Sequence, residues 1–111
     1  MSSPRRYGER TVCVEGRTFS LQVVRFANGC FAAVAEGEER LGSLTVSLYN
    51  RTSPVTTQVI PSKSGSLLMR LAAERLAVRT DGVALLSVNV QGDIPAGVAK
   101  EIMGALDQMV S

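Results

Sequence analysis

Apolar and polar residues alternate at period two over most of the first sixty positions. Two later stretches repeat at helical spacing instead. These periods predict a run of strands followed by helix, strand and helix. Residues 1–9 contain Pro4 and Gly8 and read as a disordered N-terminal tail. Arg10–Val14 reads as the first strand, and Glu15-Gly16 supplies turn chemistry. Arg17–Ala27 carries Phe19, Leu21 and Val23 at period two, after which Val24 and Phe26 change the parity. That change implies either a bulge or a strand apolar on both faces. Asn28-Gly29 predicts a type I′ hairpin into Cys30–Ala35, whose Ala32, Ala33 and Ala35 leave room for a close neighbour.

Glu36–Arg40 reads as a charged turn at a solvated hairpin tip. In the strand Leu41–Tyr49, Leu44, Val46 and Leu48 share one face, and Thr45, Ser47 and Tyr49 share the other. Pro54–Ile60 follows, with Pro54 at the first strand position, where no donor is needed. A helix begins at a Ser64 or Ser66 cap and runs to about Thr80, with Leu67, Leu68, Leu71, Ala72 and Leu76 as its apolar stripe. After the Asp81-Gly82 turn, Val83–Val90 is apolar at both parities, the pattern of a strand buried on both faces. The last helix has Asp93 as cap and Pro95 in its first turn. Its stripe is Val98, Ile102, Ala105, Leu106 and Met109.

The elements therefore run βββββαβα. The expected fold is a single α+β domain over residues 10–111, a six-stranded and mainly antiparallel sheet with two helices. Two helices cover about one face of such a sheet. If both lie on one side, the other side keeps a large apolar patch. The expectation is therefore a dimer, packed sheet to sheet as a β-sandwich with the helices outside.

Composition adds mainly exclusions. The chain has 111 residues, enough for one self-sufficient core. A net charge of +2 is too small to argue for nucleic acid or an anionic membrane as partner. Arg5, Arg6 and Arg10 make a basic tip that reads as solvated. No apolar leader or membrane-length run occurs, so the expected location is the cytoplasm, or cytoplasm shared with the nucleus. Cys13 and Cys30 are expected as buried reduced thiols. Two cysteines without any histidine do not make a structural zinc site, and no cofactor is expected.

The absence of histidine also removes the commonest general base, and no enzyme activity is expected. The segment Pro61-Ser62-Lys63-Ser64-Gly65-Ser66 stands out as a polar loop before a helix. It lacks the two-glycine spacing of a phosphate loop, with its single Gly after the Lys.

Several stretches together resemble a known family. They are Gly42–Leu48, then Ser53-Pro54-Val55-Thr56-Thr57-Gln58-Val59, then the helix Leu67–Ala77, then Val83–Val90. They look like the proteasome assembly chaperone 3 and 4 family, over most of residues 10–110. The first half is closer to the chaperone 3 branch, while Ser87-Val88-Asn89-Val90 is closer to chaperone 4. The resemblance implies a small non-catalytic chaperone that pairs with a similar subunit, as a heterodimer or, in isolation, a homodimer. It further implies binding to proteasome α subunits while the α ring of the 20S core particle forms. The loop Pro61–Ser66 matches the family's variable loop by position, and the resemblance implies that it is a protein-contact loop. The alternative is a dimeric scaffold of the roadblock or profilin kind, with a small enzyme using Lys63 or a carboxylate a more distant one. The strand-first order of this chain counts against the scaffold.

Overall fold

The computed structural model describes residues 7–61 and 66–110. Its elements are β1 (Tyr7–Val14), β2 (Arg17–Phe26), β3 (Gly29–Glu36), β4 (Ser43–Tyr49), β5 (Pro54–Ile60), α1 (Ser66–Thr80), β6 (Val83–Asn89) and α2 (Ala96–Val110). The order is βββββαβα, as the periodicity predicts. The strands form one six-stranded sheet, β1-β2-β3-β6-β4-β5. The sheet is mixed: β3 and β6 run parallel and the other neighbours antiparallel.

The charged segment after β3 is therefore not a hairpin tip. β6 inserts between β3 and β4, so residues 37–42 carry the chain past a neighbouring strand. β1 begins at Tyr7 rather than Arg10, because Tyr7, Gly8 and Glu9 pair with Val24, Val23 and Gln22. Tertiary pairing extends a strand that its own polar residues do not announce.

Two turns differ from expectation. The type I′ signature belongs to Glu15 and Gly16, with φ of 51° and 75°. The β2–β3 hairpin is present, but its two-residue loop is Ala27-Asn28, since Phe26 pairs with Gly29. Gly29 is needed there for another reason. A Cβ on it would lie 1.9 Å from the Val83 carbonyl oxygen. Val83 N also donates to the Asn28 carbonyl at 2.8 Å, so the hairpin end and the start of β6 are fastened backbone to backbone.

Strand parity assigns the faces. β2 keeps an unbroken register with both neighbours, so its parity change is not a bulge. Phe19, Leu21 and Val23 point into the core, while Val24 and Phe26 point the other way. The core also takes Cys30, Ala32 and Val34 from β3 and Ala84 and Leu86 from β6. From the helices it takes Ala72, Ala73, Leu76, Ala77, Val98, Ile102, Ala105, Leu106 and Val110. Every strand residue in that core shares one face, so both helices lie on the same side of the sheet. α1 covers β4, β6 and β5, and α2 covers β1 and β2.

The α2 stripe is buried as expected at Val98, Ile102, Ala105 and Leu106. Met109 is half-buried and Val110 fills the last position. Pro95, not Asp93, occupies the capping position, because Ala99 N donates to the Pro95 carbonyl. At the other end the Arg25 guanidinium donates to the Val110 carbonyl, placing a positive charge where the helix dipole favours it.

α1 is turned relative to the expected stripe. Its buried line is Met69, Ala72, Ala73, Leu76, Ala77 and Thr80, and Leu71 is exposed. The side chains of Leu67 and Leu68 lie outside the described residues. Small residues win the core positions because β4 comes close beneath them. β4 turns Ser43, Thr45 and Ser47 toward α1, all three buried. Ser43 donates to the Val88 carbonyl, and Ser47 shares a hydrogen bond with Thr56, whose hydroxyl donates to Glu74 on α1. The Thr45 hydroxyl has no partner among the described residues.

A buried hydroxyl without a partner loses its hydration and gains nothing in return. Thr45→Val keeps the shape and removes that cost. It should raise stability by about 1 kcal/mol, read as a higher urea midpoint with an unchanged slope.

Candidate functional site

The side of the sheet away from the helices is open. Across its middle and one half it is apolar: Val24, Phe26 and Phe31, then Val83 and Leu85, then Leu44, Val46 and Leu48, then Val55 on the edge strand. Phe26, Leu48 and Val55 are 54%, 46% and 59% exposed. No Asp, Glu, Lys or Arg interrupts this set. The orientation of β4 is the telling feature. An isolated one-sided sheet turns its apolar face to the core and its hydroxyls to water. β4 does the reverse, burying Ser43, Thr45 and Ser47 and presenting Leu44, Val46 and Leu48 outward.

The other half of the open face is polar. Ser20, Gln22, Ala33 and Ala35 form its floor, and Glu39, Arg40 and Leu41 from the β3–β4 connection overhang it, leaving a cleft of about 220 Å³. Gln22 donates to Glu39 at 2.8 Å and helps hold the overhang in place. The charge pattern predicts solvated acids in this turn, and Glu36 departs from it. It sits at the end of β3 and takes two hydrogen bonds from the Arg17 guanidinium, at 2.7 and 2.9 Å, and one from Gln91 N at 2.9 Å. Arg17 also donates to the Gln91 and Asp93 carbonyls and lies over the Phe19 ring. One guanidinium thus ties the start of β2, the end of β3 and the β6–α2 connection together.

Of the expected contact loop, Pro61 is exposed after β5 and Ser66 opens α1. Ser62, Lys63, Ser64 and Gly65 lie outside the described residues. The two thiols differ: Cys30 is buried, but Cys13 is exposed. β1 is an edge strand and Cys13 points to the uncovered side, opposite Thr18, which explains the departure from the expected burial. Burial pushes the Cys30 thiol up, against the nearby Arg25 charge, so it stays protonated and unreactive. Among the described residues no group of three or more His, Cys, Asp or Glu side chains is arranged to hold a metal ion. No described helix is long and apolar enough to cross a membrane.

Periodicity places Leu44, Val46 and Leu48 on one face and marks Val24 and Phe26 as a second apolar parity. Phe31 and Val55 gave no such signal, because their share in the patch depends on β3 and β5 lying on either side of the β6–β4 pair.

No family model matches the sequence, and no curated protein matches it significantly. Among solved structures the chain is similar in fold to a subunit of a chaperone complex for yeast 20S proteasome assembly. The likeness covers 96% of this chain and 100% of that one, with a TM-score of 0.64 and 11% sequence identity. At that identity it is a likeness of fold.

The Arg17 hydrogen bonds hold the Glu36 carboxyl below its ordinary value of 4.5, with help from Gln91 N and against partial desolvation. A depressed carboxyl contributes stability fully above its unfolded value and loses it as pH falls through the lower folded value. Acidification from about pH 5 to about pH 3 should therefore lower the urea midpoint. Glu36→Gln should start lower at neutral pH and show a weaker acid dependence, followed by circular dichroism in urea at several pH values.

Proposed function

We propose that this protein is a non-catalytic assembly chaperone of the 20S proteasome core particle. It pairs with a similar chaperone subunit through the open face of its sheet and binds proteasome α subunits while the α ring forms. The observation that carries this assignment is the uncovered apolar face, above all the outward Leu44, Val46 and Leu48 of β4. A soluble monomer does not ordinarily keep a contiguous patch of this kind in water. Aromatic and aliphatic side chains on a twisted sheet suit another sheet, at the spacing of a β-sandwich. The fold likeness to a subunit of a yeast proteasome assembly chaperone complex supplies the second support.

The work of such a protein is positional. A bound pair holds α subunits in register, so part of the entropic cost of ring closure is met before closure, and wrong neighbours are excluded by overlap. Release follows when a later subunit competes for the same surface. The segment Pro61–Ser66 is assigned to client contact on its sequence and position alone. The chaperone works in the cytoplasm, shared with the nucleus.

Affinity purification of the tagged chain from its source cells should recover proteasome α subunits together with one similar small chain. Purified alone at tens of micromolar, the protein should run in light scattering at twice its 11.8 kDa mass. Leu48→Glu puts a charge into the patch at an already exposed site, so it should leave the fold intact and give a monomer. A wild-type protein that stays monomeric and soluble without any partner would overturn the sheet-to-sheet pairing. Purifications without α subunits would overturn the client.

A further inference from the structure

Among the described residues, nothing covers the outer line of α1. Its buried line, Met69 to Thr80, faces β4 and β6. Directly opposite, on the line farthest from the core, stand Leu71 and Val78, two turns apart and 49% and 45% exposed. Charged or polar residues ordinarily hold that line, and a helix that is apolar on both sides is ordinarily covered on both. α2 serves as an internal control. Its outward positions are Ala96, Gly97, Lys100, Glu101, Gly104 and Gln108, with no large apolar side chain among them. Every other large exposed apolar residue among those described belongs to the sheet or to the connection over its open face.

The flanks of the stripe are basic. Arg70 stands on the side toward β5, and Arg75 and Arg79 stand on the side toward α2. The matching carboxylates are drawn inward. Glu74, 22% exposed, is held by Thr56 and Arg70, and Asp107, 14% exposed, is held by Arg75. The side chains of Arg70 and Arg75 are 67% and 58% exposed, so the surface a partner meets is apolar in the middle and positive at the rim.

We infer that the outer face of α1 is the client-docking surface, and that its occupant is an acidic segment of a proteasome α subunit that sets apolar side chains between carboxylates. Charge complementarity selects that occupant: apolar residues fill the Leu71–Val78 line while carboxylates meet the arginine rim. The inference rests on the proposed chaperone function. If the open sheet face is taken by a similar subunit, the client has to be met elsewhere, and the outward side of the helix layer remains free in such a sandwich.

The test uses the full-length protein, with its paired subunit if one is recovered, and purified proteasome α subunits offered one at a time. Leu71→Glu and Val78→Glu change exposed residues, so circular dichroism and light scattering should match wild type. Each should weaken α-subunit binding at least tenfold, and Arg70→Glu should weaken it as well. Raising salt from about 0.05 M to about 0.3 M should weaken wild-type binding, since the rim charges are then screened within a few ångströms. An α subunit that binds wild type and both glutamate variants equally, with no salt dependence, would sink this inference and leave the chaperone function standing. If no α subunit binds wild type at all, the client assignment and this surface fall together.

Discussion

A sheet of six strands at about 4.8 Å spacing is about 24 Å across. Two helices of about 10–12 Å diameter, side by side, match that width once. Among the described residues there are two helices, each of 15 residues, and both lie on the same face. Among the described residues the opposite face therefore receives no helix, and the β3–β4 connection overhangs only part of it. The outward apolar residues and the hydroxyls under α1 both follow from that geometry.

The placement of β6 makes the arrangement work. It enters the sheet between β3 and β4, parallel to one and antiparallel to the other, and joins the hairpin half to the β4–β5 half. Gly29 and Gly82 allow the closest approach. A Cβ on Gly82 would stand 2.0 Å from the Asn28 carbonyl oxygen. The opposite end is closed by side chains, with Arg17 gathering Glu36, Gln91 and Asp93. Between these two fastenings, β4 is free to present its leucines outward. The alanines of α1 settle over Ser43, Thr45 and Ser47, a contact that tolerates hydroxyls because Ser43 and Ser47 find partners.

The two helices show how differently one rule reads in two places. For α2 the stripe from Val98 to Leu106 is the core line, although the cap is Pro95 rather than Asp93. For α1, Ala72 and Leu76 hold core positions as the spacing predicts, but Met69, Ala73 and Ala77 complete the line and Leu71 turns outward. Close approach to β4 favours small residues, a condition set by another strand thirty residues away. The same distance effect explains Glu36, whose partners on β2 and after β6 cannot be seen from its neighbours in the turn. It also explains the strand character of Tyr7–Glu9, which comes from pairing with β2. The proposed docking line of Leu71 and Val78 was not visible until the helix had been seated.

Local pattern alone determined the order βββββαβα, the element bounds to within a few residues, the α+β class and the excess of apolar surface over what two helices can cover. Periodicity encodes which residues share a face, because side chains alternate in a strand and recur every three or four positions in a helix. It does not encode which of the two faces meets the core. That depends on where the helices settle and which strands become neighbours. Only the tertiary structure decided that β6 lies between β3 and β4, that Leu44, Val46 and Leu48 face away from the helices, and that α1 carries leucine and valine on its outer side.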